Sequence, residues 1–508
     1  MRSDKQEDHR PMTLKRLASG TEIRGTAGEL TRDIAARVGY AFAQWLADRI
    51  GTTPDKLTIA VGHDPRVSGE PLAAAAIRGL TCADCDVYDC GLTTTPALFT
   101  TMLREEGYAH AAIMVTGSHH AADKNGFKLL LKEGHVTEAD VLDVLERAAA
   151  AVVRQRLVTP TDATAAYIEY LRAVAQDRLE DEALRPLLGL HVIVDAAGGS
   201  CGFYEELLRE LGAETEGSMN LTPDPLFSAH SPNPEDPAAL EILAKAVVEN
   251  EADLGVSFDP DGVRTAVVDS KGRIINRDRL IALVSAIVLE DYPGATIVTD
   301  SVTSSGLNKF ITEWGGIHYR YKRGYMNVID EAIRLNEEGI DCPVAIETSG
   351  HCAFRENNFR CDGMYLTTWL ICEAMDRKRE GQSLETLIDE LNEPVETAEI
   401  RLPVRSEDKR EAAVEVISAV MAHTLEDPRW QNAPDNREGV RICFNLEDGI
   451  ANAWFQLRVS VHDPVLVLNA QSEVEGGLKQ ILGELAEVLG DGFEEADVTP
   501  LKDWLEKR

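Results

Sequence analysis

The chain is expected to be a multidomain α/β protein, with three related α/β domains built on mixed, largely parallel sheets and a smaller C-terminal α+β domain. Three observations carry this expectation. At 508 residues the chain exceeds what one hydrophobic core organises, so three or four domains are the natural division. A unit of short apolar strand, polar turn and helical pattern recurs three times. Past residue 398 the texture changes to closely spaced strands followed by one helix.

The first copy of the unit is the apolar run 57–61, leading into the turn that holds Gly62, His63, Asp64, Pro65 and Arg66. The second is 191–195, ending in Asp195 and followed by Gly198 and Gly199; the third is 295–300, ending in Asp300 before Ser301 and Thr303. β-branched apolar runs alternating with helical patterns such as 205–211 and 237–249 mark α/β units with parallel strands. Asp195 and Asp300 lie 105 positions apart, a spacing of domain size that points to a repeated domain rather than a repeated motif. Strands are also expected at 111–115 and 343–346, and, in the last domain, at 440–444, 453–457 and 465–468 before a terminal helix over 475–489. The expected domains are 1–159, 160–293, 294–398 and 399–508.

Composition narrows the function. A hydrophobic content of 44% is that of an ordinary globular protein. The formal charge of −35 disfavours nucleic acid and anionic membrane as partners, since both would be repelled, and requires a locally basic cleft for any anionic substrate. Nine cysteines, an odd number, fit reduced thiols better than a disulfide framework. Cys82 and Cys85 form a C-x-x-C beside Cys90, but no second ligand pair follows at zinc-finger spacing. The first sixteen residues lack the apolar segment of a signal peptide, and the longest apolar runs, such as 280–289, are too short to span a bilayer. The expectation is a soluble cytoplasmic protein.

Four motifs could carry chemistry. Ser118, in Thr116-Gly117-Ser118-His119-His120, follows a strand at a tight turn that would expose its hydroxyl; a serine is a poor nucleophile until a base or metal acts on it. His119 and Lys128 lie close by for orientation or proton transfer, although the same residues could be a polar turn with incidental histidines. Asp259 and Asp261 alternate along a loop and offer hard oxygens suited to Mg2+, with Arg264 placed to pair with phosphate or hold the carboxylates; Asp-Pro-Asp-Gly is also an ordinary turn. Glu347, Thr348, Ser349, Gly350 and His351 combine the carboxylate and hydroxyls that sugar hydroxyls need as partners, or form a helix-capping loop. Arg458, Ser460 and His462, and separately Lys322, Arg323 and Gly324, supply cations and small polar groups that could grip phosphate or could be solvated loops. No Walker loop or dinucleotide glycine fingerprint is present, which argues against a nucleotide cofactor.

The order of these motifs resembles that of the α-D-phosphohexomutases, the phosphoglucomutase and phosphomannomutase family. The resemblance runs from Ser19-Gly20-Thr21-Glu22-Ile23-Arg24-Gly25 to Gln471-Ser472-Glu473-Val474-Glu475-Gly476-Gly477, through Gly91 to Pro96, Pro232 to Glu235 and Ala252 to Gly255. It looks like a divergent branch of the family. The resemblance implies four domains around a central cleft and a phosphohexomutase that interconverts hexose 1-phosphate and hexose 6-phosphate, of glucose or mannose. It implies a phosphorylated Ser118, a hexose 1,6-bisphosphate intermediate that also serves as activator, and Mg2+ held by Ser118, Asp259 and Asp261. By the same match Arg24 and Lys128 lie near the transferring group, Lys128 as candidate general base and His351 as a further acid or base. Glu347 and Ser349 would bind sugar hydroxyls; Arg458, Ser460 and His462 would grip the non-reacting phosphate; Lys322, Arg323 and Gly324 would help select sugar orientation.

Three positions depart from the family pattern. His120 is unusual after the nucleophile, Val302 stands where many relatives have lysine, and Val263 replaces the third aspartate of the metal loop. Because Mg2+ retains water ligands, two carboxylates and a phosphoserine could still hold it. The alternative is a catalytically impaired paralogue that binds phosphosugars or serves as a scaffold. The hexose preferred and the oligomeric state are left open by the sequence.

Overall fold

The computed structural model describes residues 14–103, 108–132, 136–151, 159–180, 185–404, 409–447, 449–460, 465–490 and 496–507. The chain divides into two compact units, one ending at Gly272 and the other starting at Arg273.

In the first unit a seven-stranded sheet runs Ala18–Ser19, Glu22–Thr26, Lys124–Leu131, Ala111–Val115, Thr58–His63, Asp86–Leu92, Thr159–Pro160. Strand Thr58–His63 pairs in parallel with both Asp86–Leu92 and Ala111–Val115, whereas Lys124–Leu131 pairs antiparallel with its neighbours on either side. Helix Arg32–Ile50, capped by Thr31 at the amide of Ile34, buries Phe42, Trp45 and Leu46. It packs so closely on helix Gly69–Cys82 that a Cβ at Gly79 would stand 1.8 Å from the carbonyl oxygen of Ala36. A second sheet of this unit pairs Val192–Asp195 in parallel with Leu254–Phe258, which is antiparallel to Thr265–Asp269. All three strands are buried along their length, which is why they read as continuous apolar runs.

The second unit holds a five-stranded mixed sheet in the order Ile317–Tyr321, Thr296–Asp300, Val344–Ile346, Cys352–Phe354, Arg360–Cys361. Its first three strands are mutually parallel and the last two antiparallel. The apolar run 280–289 is the buried middle of helix Arg277–Asp291. The C-terminal sheet is antiparallel throughout, in the order Glu396–Pro403, Val465–Ser472, Ala453–Val459, Val440–Phe444, Gln431–Asn432, with helices Lys409–His423 and Gly477–Val488. The helix expected to be terminal ends at Val488 and a further one, Thr499–Glu506, follows. That last helix begins with Thr499-Pro500 and buries only Leu501, too little apolar periodicity to announce itself. No helix among the described residues is long and apolar enough to cross a membrane.

Candidate functional site

In the first unit strand Ala111–Val115 is buried on both faces between Thr58–His63 and Lys124–Leu131, and it delivers Thr116 to the rim of the sheet. The turn that follows puts Ser118 in the left-handed region, at φ 50°, a conformation uncommon for a residue with a side chain. Ser118 is buried, and its hydroxyl donates to Asp259 Oδ2 at 3.0 Å. The turn is held from beneath. Thr116 Oγ1 donates to Asp64 Oδ2 at 2.7 Å and accepts from the Ser118 amide at 2.8 Å; the Gly117 amide reaches the same Asp64 oxygen at 3.3 Å. Burial raises the pKa of Asp64, and the charge of Arg66 and the Thr116 hydroxyl only partly offset it.

The carboxylates of Asp259 and Asp261 lie together. Asp259 Oδ1 accepts from the amides of Val263 and Arg264, each at 3.0 Å, leaving Oδ2 to Ser118. Asp261 Oδ2 accepts from Thr95 Oγ1 at 2.6 Å and from Lys128 Nζ at 2.7 Å, whereas its Oδ1 is buried without a hydrogen bond. Burial and the charge of Asp261 push the pKa of Asp259 up. Burial opposes ionisation of Asp261 as well, but Lys128 and Thr95 outweigh it and hold its pKa down. Lys128 is buried; burial opposes its charge, yet Asp261 and Glu22 overcome that and raise its pKa, so it sits as an ammonium. Arg24 donates through Nε to Glu22 at 2.7 Å and through Nη1 to the Thr116 carbonyl at 2.5 Å. Arg264 reaches Glu235 at 3.5 Å. The rings of His119 and His120 lie 4.4 Å apart, and His120 is pushed down to about 4 by burial and the Arg24 charge.

Hard oxygens from Asp259 Oδ2, Asp261 Oδ1 and Ser118 Oγ suit a divalent cation, and the buried Asp261 oxygen without a hydrogen bond is what a metal ligand would leave in its absence. Val263 is buried, and its amide donates to Asp259 Oδ1; its side chain offers no carboxylate. Among the described residues no group of three His, Cys, Asp or Glu lies close enough to hold a metal ion; Asp259, Asp261 and Ser118 bring two carboxylates and a serine oxygen.

In the second unit Glu347 follows strand Val344–Ile346 directly and is buried. Its Oε1 accepts from the Gly324 amide at 2.6 Å and its Oε2 from Ser349 Oγ at 3.0 Å. Ser349 Oγ also lies 2.8 Å from His351 Nδ1, and the His351 ring stacks on Tyr325 with centroids 4.6 Å apart. Beneath the loop the Thr348 hydroxyl and amide donate to Asp300 at 2.7 and 3.2 Å. Arg323 Nε stands 3.9 Å from Asp300, and its amide donates to Glu438 at 3.1 Å. Lys322 lies over the ring of Tyr321 at 5.7 Å. Arg458, in strand Ala453–Val459, is buried; burial lowers its pKa while Glu438, Asp300 and Glu399 oppose that. Val302 is buried next to Ser301, whose hydroxyl donates to Glu438 at 2.5 Å.

Within the first unit, then, Ser118, Lys128, Arg24, His119, Asp259, Asp261 and Arg264 share one neighbourhood through the contacts above. Within the second, Glu347, Ser349, His351, Arg323 and Gly324 share another; Arg458 lies on strand Ala453–Val459 of the C-terminal sheet, and Ser460 donates its amide to the Val465 carbonyl at 2.9 Å. His462 lies outside the described residues. Sequence reasoning did not assign roles to Glu22, Asp64, Arg66, Thr95, Asp300 or Glu438. Asp64 and Asp300 carried a signal, since both stand at the ends of the recurring strands; Glu438 carried none.

Known proteins match the chain over most of its length. Residues 15–156, 165–272 and 276–395 match the phosphoglucomutase/phosphomannomutase alpha/beta/alpha domains I, II and III. A phosphomannomutase/phosphoglucomutase of Pseudomonas putida is 30% identical over 91% of this chain and 92% of its own. A phosphoglucomutase of Neisseria gonorrhoeae is 30% identical over 92% of this chain and 95% of its own. The crystal structure of a phosphoglucomutase/phosphomannomutase family protein from Burkholderia thailandensis superposes with a TM-score of 0.78 at 26% identity, covering 95% of this chain and 99% of that one.

Proposed function

Because this chain belongs to the phosphoglucomutase/phosphomannomutase family, as its three matched domains establish, we propose that it moves a phosphoryl group between C1 and C6 of glucose or mannose phosphate through a phosphorylated Ser118. It is an intramolecular phosphotransferase, of the isomerase class. The observation that carries the serine assignment is the buried Ser118 hydroxyl, held in a left-handed turn 3.0 Å from Asp259.

In the forward step the Ser118 Oγ–P bond breaks and a sugar hydroxyl oxygen bonds the phosphorus, giving hexose 1,6-bisphosphate. The serine oxygen keeps the bonding electrons and takes a proton from the Lys128 ammonium, which recovers one from the attacking hydroxyl, so Lys128 acts as acid before it acts as base. Arg24 sits beside the same loop and offsets charge on the transferring group, the main need in phosphoryl transfer. When bound by Asp259, Asp261 and Ser118, Mg2+ would neutralise phosphate charge and orient it. Glu347 and Ser349 would take sugar hydroxyls, with Lys322, Arg323 and Gly324 setting sugar orientation; His351 would be a further proton carrier. Arg458, Ser460 and His462 would hold the other phosphate. Hexose 1,6-bisphosphate would serve as activator, and the reading places the protein in the cytoplasm, acting on sugar phosphates rather than on nucleic acid or membrane.

One observation favours a second reading, a phosphosugar-binding protein with little turnover: the buried Val263 brings no third carboxylate. A coupled mutase assay with Mg2+ and glucose 1,6-bisphosphate decides, with glucose 1-phosphate and mannose 1-phosphate offered separately. Turnover in wild type that Ser118→Ala reduces on the order of 10⁴-fold or more supports the mutase. Silence in wild type with gain in Val263→Asp would mean a mutase disabled at its metal loop; silence in every folded variant would sink the mutase on these sugars.

A further inference from the structure

The reaction assigned above uses Ser118 but leaves unexplained what holds it in an unfavourable conformation. Arg66 is the group placed to do so. Its side chain is fully buried, and all five of its N–H donors are engaged. Nε donates to Asp64 Oδ2 at 2.9 Å. Nη1 donates to the carbonyls of Ala121 at 2.5 Å and Lys124 at 2.9 Å; Nη2 donates to those of Ser118 at 2.5 Å and His120 at 2.7 Å. One planar cation thus gathers four carbonyls between positions 118 and 124, while its counter-ion Asp64 holds Thr116 and Gly117 on the other side of the serine.

The guanidinium is closely packed. A Cβ at Gly117 would fall 2.4 Å from Arg66 Cζ, so only glycine lets the loop lie against it. The ring of Phe227 also covers it, with its centroid 5.0 Å from Cζ. Phe227 is buried and itself held at φ 49°, in a tight turn where Asp224 accepts from the amides of Leu226 and Ser228 at 2.9 and 2.8 Å. The segment is moored further along by His230 and Asn220, each 2.9 Å from Asp195. Excluding water from a cation strengthens its hold on carbonyls, because they no longer compete with solvent.

We propose that Arg66 is the positioning residue of the nucleophile loop, fixing the left-handed Ser118 through four backbone carbonyls, and that Phe227 keeps this clasp dry. Neither touches the reacting atoms. Lysine at 66 would keep the charge but has three donors in place of a planar fork of five, so it cannot reproduce the clasp. A displacement of about an ångström in a reacting group costs on the order of 100-fold in rate, which sets the size of the effect.

This inference rests on the serine being the phosphoryl carrier, and its test separates the two. Wild type, Ser118→Ala, Arg66→Lys and Phe227→Leu are compared in steady-state turnover and in the rate at which intact mass gains one phosphate from glucose 1,6-bisphosphate. Amide hydrogen exchange over residues 117–124 is followed in parallel. Arg66→Lys is expected to lower kcat and the phosphorylation rate about 100-fold with KM nearly unchanged, and to speed exchange across 117–124. Phe227→Leu, which keeps every donor, is expected to slow the same step about tenfold. Wild-type kcat in Arg66→Lys below its melting temperature, or wild-type phosphorylation in Phe227→Leu should Arg66→Lys fail to fold, would overturn the proposal. Should wild type itself neither turn over nor gain phosphate, the mutase reading fails. The clasp then stands or falls on exchange alone: faster exchange in the folded variants sustains it and unchanged protection overturns it.

Discussion

The loop of Ser118 and the loop of Glu347 are built on the same plan and finished differently. Each follows a buried strand, and each is tied down by a threonine that donates its hydroxyl, at 2.7 Å, to a buried aspartate at the end of the adjacent parallel strand: Thr116 to Asp64, Thr348 to Asp300. The difference is in how the aspartate is compensated. Asp64 has Arg66 against it at 2.9 Å, and that arginine goes on to clasp the whole turn. Asp300 has Arg323 at 3.9 Å, and burial together with the charge of Glu347 raises its pKa. On the proposed function the difference has a reason: a nucleophile at Ser118 is served by a loop locked by a charge pair with saturated hydrogen bonds, whereas a sugar-binding loop at Glu347 is served by charge left imperfectly matched, which hydroxyls and phosphates from outside would complete.

The contrast can be broken most sharply at Glu347. Glu347→Ala removes the carboxylate shared by Gly324 and Ser349. It is expected to lower kcat/KM about 100-fold, carried mostly by KM, as befits loss of ground-state binding; a pure kcat effect would mean that this loop, too, positions reacting atoms. A smaller effect is expected from the paired threonines. Thr116→Val should lower kcat about tenfold with KM little changed, whereas Thr348→Val should raise KM by a similar factor, each being the loss of one hydrogen bond to a charged group. Steady-state kinetics of both variants check the split, and identical signatures would erase the distinction drawn here.

The smallest effect comes from the sister position, Asp195, where the partner is a histidine instead of a threonine or arginine. The hydrogen bond that His230 Nε2 donates to Asp195 raises the pKa of His230 above its ordinary 6.5 against the opposing effect of burial, with Asp236 and the Ser231 carbonyl adding to it. Because the folded value lies above the unfolded one, the stabilisation is complete below about pH 6.5 and is lost as pH rises through the raised value. Thermal melts of wild type and His230→Asn from roughly pH 6 to pH 9 should show a margin of about 1–2 kcal/mol at the acid end that narrows toward the alkaline end. A margin independent of pH would mean that the ring acts by shape alone.

Much of this was legible beforehand. The strand 111–115 falls at the expected positions, as do the helix 237–249 and the strand 440–444, because buried strands and amphipathic helices write their periodicity into the chain. Ser118, Asp259, Glu347 and Arg458 were singled out because their chemistry is local: a hydroxyl after a strand, alternate carboxylates, a carboxylate among hydroxyls, an arginine before small polar residues. Arg66 gives no such sign, since an arginine two residues past an aspartate looks the same in sequence whether it meets water or four carbonyls. Glu438 gives none either, because its partners Ser301 and Arg323 are more than a hundred residues away.

By itself, then, the sequence determined most strands and helices (not the last helix, Thr499–Glu506), the order of the motifs and the kind of chemistry each could support, because those depend on neighbours along the chain. Only the tertiary structure decided that Lys128 is held as an ammonium by Asp261 and Glu22, that Asp259 faces Ser118, and that Arg66 saturates its donors on the Ser118 turn. Those outcomes depend on burial and on charges brought together from distant positions, and a side chain's charge and its hydrogen bonds are settled by what surrounds it in space.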